Sequence, residues 1–218
     1  MLRIAHRGRH LEHPENTLAA FAAARAAGAQ GIETDVRRSA DGLPVLFHDR
    51  LTGDGRAVAD LTREELAAAA GYPVPTLDEA LAADDGGDLI WNVEIKTAAA
   101  AAAAGEVIAR FAALRRIVVT SFQHALVAPL AAIPGVEGGG LLLASRPAVS
   151  VLAELGKTTG LVVWHYEALD VELLARAADH GLRSWVYAVE GPAEHRRCVE
   201  LAAAGLGAVI TDRVDLLP

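Results

Sequence analysis

Carboxylate side chains recur within short apolar stretches of this 218-residue sequence. Glu33 and Asp35 lie two positions apart in one stretch, and in a β-strand this spacing places both side chains on the same face. Glu94 has a similar setting later in the chain. Carboxylates held close together repel unless a cation joins them, and three of them suit one hard divalent cation, Mg²⁺ or Ca²⁺, better than zinc. Structural salt bridges to Arg37 and Lys96 are the alternative, and the spacing alone favours neither.

Two histidines end apolar stretches, and each is followed by a charged residue: His6 by Arg7, and His48 by Asp49. Histidine titrates near neutral pH, so two imidazoles that face each other could act as a general acid and a general base. The guanidinium of Arg7 has the forked shape that binds two oxygens of a phosphate group. A lone histidine of this kind is more commonly an ordinary polar residue at a strand end. Here the two histidines occur together with three carboxylates, and this combination favours a catalytic site.

The elements that must position these residues alternate between short β-rich runs and alanine-rich helical segments, which indicates an α/β fold with parallel strands. Eight β/α units fit without a long linker, so we predict a single-domain (β/α)8 TIM barrel over residues 1–218. The predicted strands are 2–5, 31–36, 89–95, 117–120, 140–143, 161–164, 184–189 and 208–211, with a further extended run at 45–47. A doubly wound open sheet is the alternative, but the chain has no glycine-rich dinucleotide loop to support it. The run from Gly138 to Gly140 is predicted to be a loop that enters the fifth of these strands.

The carboxyl ends of the strands of such a barrel face one mouth, and active sites are built there. The carboxylates and histidines described above all lie at these ends, as do Lys96 and Asp212. The fold therefore predicts that residues far apart in the sequence converge in one cavity.

Composition and charge narrow the classes of partner. The net charge is −8 and no block of lysine or arginine is present, which argues against nucleic acid and against an anionic membrane surface as partners. Cys198 is the only cysteine, so no intrachain disulfide can form. No apolar stretch near the start has the length of a signal peptide, and the alanine run 98–104 is too short to span a bilayer. We predict a soluble, cytoplasmic protein without stable membrane association that acts on a small molecule.

An ordered set of motifs resembles the glycerophosphodiester phosphodiesterase family. The motifs are Ala5-His6-Arg7-Gly8, Pro14-Glu15-Asn16-Thr17, Glu33-Thr34-Asp35, His48-Asp49 and Val93-Glu94-Ile95-Lys96, with weaker similarity at Ser121-Phe122, Trp185 and Ile210-Thr211-Asp212. The resemblance implies that Glu33, Asp35 and Glu94 bind one divalent cation and that His6 and His48 form the acid/base pair. It also implies that Arg7 and Lys96 contact the phosphate.

Three sets of residues have secondary roles in this prediction. We expect Phe122 and Trp185 to line the apolar side of the mouth, with ordinary core packing as the alternative. Asn16 or Thr17 is expected to cap the first helix, and Glu15 to brace the loop after His6. His165 is a peripheral candidate for the mouth. The remaining histidines that we considered are expected at the surface: His13, His124, His180 and His195.

The resemblance implies metal-dependent hydrolysis of glycerophosphodiesters to sn-glycerol 3-phosphate and an alcohol. Two segments depart from the family pattern: residues 50–55 are shorter than the usual segment after His-Asp, and Trp185-Val186-Tyr187-Ala188 replaces a Trp-Thr-Val-Asn pattern. Both segments are expected to face the alcohol part of the substrate. A phospholipase D-like enzyme that acts on lysophospholipids or other lipid phosphodiesters therefore stays an alternative, as does a catalytically silent barrel that binds a phosphorylated ligand.

Overall fold

The computed structural model describes residues 1–218 and contains a closed barrel of eight parallel strands. The barrel closes because its first strand pairs with both the second and the last. This pairing confirms the predicted (β/α)8 barrel and excludes the open sheet. The barrel strands are β1 (Leu2–His6), β2 (Gly31–Arg38), β4 (Ile90–Ile95), β5 (Arg116–Ser121), β6 (Gly138–Leu143), β7 (Leu161–His165), β8 (Arg183–Val189) and β9 (Leu206–Thr211).

One further strand lies outside the barrel. β3 (Pro44–Leu46) pairs antiparallel with the end of β2, so the extended run predicted at 45–47 forms a hairpin. The segment between β3 and β4 has its own small apolar core, in which Val45, Val58 and Leu66 are buried. This segment continues the chain from the end of β2, at the same end of the barrel as the predicted mouth.

Eight helices surround the strands. They are α1 (Leu18–Ala26), α2 (Arg63–Ala70), α3 (Leu77–Ala82), α4 (Ala98–Phe111), α5 (Val127–Ala131), α6 (Val149–Thr158), α7 (Val171–Asp179) and α8 (Pro192–Ala202). Short 3-10 helices occur at Val58–Asp60, His124–Leu126, Tyr166–Ala168 and Val214–Leu216. Several helices begin at a threonine whose hydroxyl accepts a backbone N–H of the first turn, as Thr17 does for α1. None of these helices is sufficiently long and apolar to cross a membrane.

The glycine run differs from its predicted conformation. Gly138 to Gly140 lie within β6 and not in a loop. A Cβ at Gly139 would stand 2.4 Å from a methyl carbon of Val127, and one at Gly140 would stand 2.9 Å from the Leu161 side chain. The glycines therefore belong to a strand whose two faces are approached closely by α5 and β7.

Candidate active site

A cavity of about 340 Å³ opens at the carboxyl ends of the strands. Its wall includes both predicted acid/base histidines, both predicted phosphate-binding cations and two of the three predicted metal ligands: His6, His48, Arg7, Lys96, Glu33 and Glu94. Asp35 lies directly behind the wall and is 1% exposed. The barrel thus brings together residues that span 90 positions of sequence, as the positions of the strand ends predicted.

The register of the strands brings the three carboxylates close together. His6 of β1 pairs with Glu33 of β2, and Asp35 of β2 pairs with Glu94 of β4. One carboxylate oxygen from each of Glu33, Asp35 and Glu94 lies within 4.8 Å of the other two. Glu33 is 3% exposed, and its Oε1 is buried without any hydrogen-bond partner. The three carboxylates therefore present a compact set of oxygen atoms, one of which is unsatisfied.

Two cations lie against this group. Nζ of Lys96 is 2.8 Å from Oδ1 of Asp35 and also contacts Oε1 of Glu94. Nε of Arg7 is 3.3 Å from Oδ2 of Asp35, and its backbone N–H donates to Oε2 of Glu33 at 3.1 Å. The salt bridges that the sequence offered as an alternative to a metal site thus form with Lys96, and Arg7 forms a further one with Asp35. Arg37 does not pair with the trio, because its Nε donates to the carbonyl oxygen of His48.

The pKa values of the carboxylates differ according to their neighbours. Burial, followed by repulsion from Asp35 and Glu94, raises the pKa of Glu33 well above its usual value. Burial and Asp35 likewise raise the pKa of Glu94. Burial would also raise the pKa of Asp35, but the positive charges of Lys96 and Arg7 outweigh it and lower that pKa. The two cations therefore outweigh burial and repulsion for Asp35 but not for Glu33 and Glu94.

A divalent cation fits this donor set. Three carboxylates and the two cations Arg7 and Lys96 leave one formal negative charge when all are ionised, and Oε1 of Glu33 is buried without a partner. All three ligands offer hard oxygen atoms, which Mg²⁺ and Ca²⁺ prefer. Glu33, Asp35 and Glu94 are the residues that would hold such an ion.

The loop after β1 braces this group. The Nδ2 amide of Asn16 donates to Oδ2 of Asp35 at 2.9 Å, and its Oδ1 accepts from the backbone N–H of Asp35 and the hydroxyl of Thr34. Oε2 of Glu15 accepts from Nη1 of Arg7 at 2.9 Å. Arg7 and Asn16 both have positive φ angles, 55° and 56°, so the tight path of the loop aims both side chains at the carboxylates. Asn16 thus braces Asp35, one of the three predicted metal ligands, while the cap of α1 is Thr17.

His6 is held by a carboxylate from the opposite end of the chain. Its Nδ1 lies 2.7 Å from Oδ1 of Asp212, which follows β9. Burial would raise the pKa of Asp212, but the hydrogen bond from His6 and the neighbouring His10 lower it, so this carboxylate is ionised and can only accept. Nδ1 of His6 must then carry the proton, and Nε2, 4.0 Å from Oε2 of Glu33, presents its lone pair.

His48 is held in a similar way. Its Nδ1 lies 2.8 Å from Oδ1 of Asp49, and its backbone carbonyl accepts from Arg37. The His48 ring is half-buried and lines the same cavity as His6. Both imidazoles are therefore oriented through Nδ1 by an aspartate.

Aromatic rings form the opposite wall. The ring of Tyr187 stacks edge-on against Phe122 at 5.9 Å and against His165 at 5.2 Å. Phe122 and Tyr187 both line the cavity. A register shift in β8 between Val186 and Val189 coincides with a positive φ of 59° at Ala188, and this irregularity occurs where Tyr187 reaches the mouth.

Trp185 does not line the cavity, which corrects our expectation. The side chain is 3% exposed and packs inside the barrel with Ile4, Val163 and Ala208. Trp185 lies two residues before Tyr187 on the same strand, and this distance places it one layer below the mouth. The aromatic residue of β8 at the mouth is Tyr187, which the sequence indicated only as part of the segment 185–188.

The histidines outside the predicted pair have varied settings. His180 is exposed, as expected, and His13 and His124 are half-buried. His195 is fully buried, contrary to expectation: its Nε2 lies 2.8 Å from the hydroxyl of Thr211, and its Nδ1 contacts the carbonyl of Gly191. His195, Cys198 and Leu201 follow one another at intervals of three residues, a helical pattern that could have indicated a buried face.

The fold and its mouth define the class: a (β/α)8-barrel protein with a carboxylate trio, two oriented imidazoles and two cations suited to phosphate. The chain belongs to the glycerophosphoryl diester phosphodiesterase family, whose sequence pattern matches residues 6–216.

Comparisons with individual proteins agree with this family. A glycerophosphodiester phosphodiesterase of Caldanaerobacter subterraneus subsp. tengcongensis is 40% identical over 110 residues, which cover 44% of this chain and 45% of that protein. The match thus spans less than half of that relative's length. A Thermotoga maritima glycerophosphodiester phosphodiesterase structure is 28% identical with a TM-score of 0.84, covering 99% of this chain and 96% of that one. An Oleispira antarctica phosphodiesterase solved with the product sn-glycerol-3-phosphate has the same fold, at 24% identity and a TM-score of 0.82 over 97% of this chain and 93% of that one.

Proposed function

We propose that this chain is a phosphodiesterase that depends on one divalent cation, Mg²⁺ or Ca²⁺, and hydrolyses glycerophosphodiesters to sn-glycerol 3-phosphate and an alcohol. Membership of the family supports this activity. The observation that carries the proposal is the content of one cavity: an acidic trio with an unpartnered oxygen, two cations, and two imidazoles each oriented by an aspartate. Mere binding of a phosphorylated ligand requires no pair of oriented imidazoles.

The cation held by Glu33, Asp35 and Glu94 would supply Lewis-acid stabilisation of negative charge on the phosphoryl oxygens. Arg7 and Lys96 supply further positive charge to the same oxygens. Burial would lower the pKa of each, but the neighbouring carboxylates outweigh it and raise both values, so both side chains stay charged across the neutral range. Their side chains reach the cavity wall, where charge that develops during reaction would meet them.

The imidazoles move the protons. One takes a proton at Nε2 from the attacking water as the new phosphorus–oxygen bond forms. The other, already protonated, gives its Nε2 proton to the leaving alkoxide oxygen as the old phosphorus–oxygen bond breaks. His6 and His48 both have Nδ1 occupied by an aspartate, which leaves Nε2 of each ring for these two transfers. Either ring can therefore take either part.

The aromatic wall faces the alcohol part of the substrate in this proposal. Phe122 and Tyr187 offer aromatic surface opposite the charged residues. The phosphate would lie against the charged side of the cavity and the alcohol against the aromatic side.

A substrate panel tests the proposal. Release of choline or ethanolamine from glycerophosphodiesters and from lysophospholipids is measured with and without EDTA, for wild type, His6→Ala and Glu33→Ala. Exposed His180→Ala serves as the control. We expect turnover of glycerophosphodiesters that EDTA abolishes, with a loss of at least about a hundredfold in either site variant.

Other outcomes would replace the proposal. Faster turnover of lysophospholipids would assign a phospholipase D-like activity. Binding of glycerol phosphate without turnover of any substrate would assign a silent barrel. Full activity in EDTA would show that the reaction requires no divalent cation.

A further inference from the structure

A second group of ligand atoms lies beside the carboxylate trio. His10, in the turn after β1, has its Nε2 2.9 Å from Oδ1 of Asp212, the same oxygen that Nδ1 of His6 approaches at 2.7 Å. The three ligand atoms lie within 4.8 Å of one another, and the two rings stand edge-to-face at 6.0 Å. Two imidazole nitrogens and one carboxylate oxygen thus converge on one point.

The hydrolysis proposed above gives His10 no task. Its Nε2 atom is buried, and its 2.9 Å approach to Oδ1 of Asp212 lacks good hydrogen-bond geometry. One carboxylate oxygen already satisfies His6, so a second imidazole aimed at the same atom is surplus to orienting that ring. A buried nitrogen whose one polar contact is poorly aligned is costly, and a bound ion would remove the cost.

The chemistry of this group differs from that of the trio. Glu33, Asp35 and Glu94 offer only carboxylate oxygens, which suit Mg²⁺ or Ca²⁺. Two imidazoles and one carboxylate are the ligand types of Zn²⁺ sites, and an open fourth position is typical of three-ligand zinc centres. His6 and Asp212 both line the cavity, so an incoming ion can reach them from solvent.

We propose that His6, His10 and Asp212 form a second metal site, selective for Zn²⁺ and similar imidazole-binding ions, whose occupation switches off His6. Metal binding stands on the geometry alone; the loss of activity rests on the function proposed above.

The switch follows from counting protons on the His6 ring. A neutral imidazole has one N–H, and while Nδ1 donates it to Asp212, Nε2 has a free lone pair. A metal ion on Nδ1 takes the lone pair of that nitrogen, so the ring proton must reside on Nε2. Nε2 can then accept no proton, and the ring cannot form the imidazolium that a general acid requires. Either acid/base role is lost.

Co²⁺ is the probe for binding itself, because it prefers similar ligands to Zn²⁺ and absorbs visible light. Wild type, His10→Ala and the matched control His13→Ala, three positions along the same turn, are titrated in excess Mg²⁺. We expect one Co²⁺ with nitrogen ligation in wild type and in the control, and at least about tenfold weaker binding in His10→Ala. His10→Gln keeps a polar side chain without an imidazole and should bind as weakly. Equal Co²⁺ binding in all four proteins would overturn the site.

Inhibition by Zn²⁺ is then measured on glycerophosphocholine at saturating Mg²⁺, relative to the uninhibited rate of each variant. The inhibition constant should rise at least about tenfold in His10→Ala and in His10→Gln, and further Mg²⁺ should not relieve inhibition of wild type. Relief by Mg²⁺ would move the inhibitory ion to the carboxylate trio and refute the switch. A chain without any turnover would refute the proposed function, and the Co²⁺ titration would still decide the metal site.

Discussion

Replacing Glu33 by glutamine should make the folded protein more stable than wild type in EDTA. With a divalent cation present, the same replacement should make it less stable than wild type. Glutamine keeps the shape of the side chain and can still accept the N–H of Arg7, and its amide can donate to the adjacent carboxylates. In EDTA, wild type must either keep a buried charge whose Oε1 has no partner or protonate it. Since an unsatisfied buried acceptor costs about 1–3 kcal/mol, we expect Glu33→Gln to be more stable than wild type by a similar amount.

With the cation present the order should reverse. An ion at about 100 times its Kd stabilises the folded state by about 2.7 kcal/mol. For a chain of this size that corresponds to a rise in Tm of about 5–11 °C, which wild type should show and Glu33→Gln should largely lack. Tm is measured by calorimetry in EDTA and in Mg²⁺ or Ca²⁺. Glu200→Gln, an exposed change on α8, is the control and should behave as wild type in both conditions.

The pH dependence in EDTA supplies an independent check. The folded-state pKa of Glu33 is raised, so the stability that its protonated form contributes is fully present below the usual value of 4.5 and is lost as the pH rises through the folded-state value. The advantage of Glu33→Gln over wild type should therefore be small near pH 4 and grow toward neutral pH. Two results would refute a cation shared by the three carboxylates. Glu33→Gln could be less stable than wild type by the same amount in EDTA and with the cation, or its Tm could rise with the cation as much as that of wild type.

Three further predictions concern other parts of the molecule. Asp212→Asn should lower kcat at neutral pH by at least about tenfold, because an amide no longer dictates the ring tautomer of His6; unchanged kcat would count against that orientation. Burial raises the pKa of Cys198 from 9.0 to about 11, so its reaction with a disulfide reagent at pH 8 should be at least about a hundredfold slower in native protein than in urea. Gly8→Ala should lower the free energy of unfolding, measured by urea denaturation, by at least about 2 kcal/mol, because φ at Gly8 is +80° and a Cβ there would stand 2.7 Å from a backbone carbon of α1. Gly53→Ala is the control and should be nearly neutral, because a Cβ there meets no atom within 4 Å.

The barrel and most of the mouth were predictable because both depend on short-range pattern. A strand that ends in a polar residue marks the mouth, and parallel strands bring all such ends to one side. Glu33 and Asp35 on one strand, with Glu94 on its neighbour, could therefore be placed near each other without coordinates.

The parts that were missed depend on contacts between distant segments or on strand irregularities. His10 meets Asp212 across 202 positions of sequence, and the turn that carries it has no regular period from which its direction could be inferred. Trp185 and Tyr187 lie on the same strand, and which of them reaches the mouth depends on how far β8 extends before its register shifts. A lone glycine run carries a similar ambiguity, because only the packing of α5 distinguishes a strand from a loop there.

The pairing of the first barrel strand with the last has a consequence for biosynthesis. The ring of His6 is fixed by Asp212, 206 positions later, and that contact exists only when β9 has docked beside β1. Before β9 docks, the ring of His6 lacks the carboxylate that orients it, even where the earlier strands have already paired. Catalytic competence should thus arise abruptly at the final step of assembly, so that turnover during refolding reports the sealing of the barrel seam.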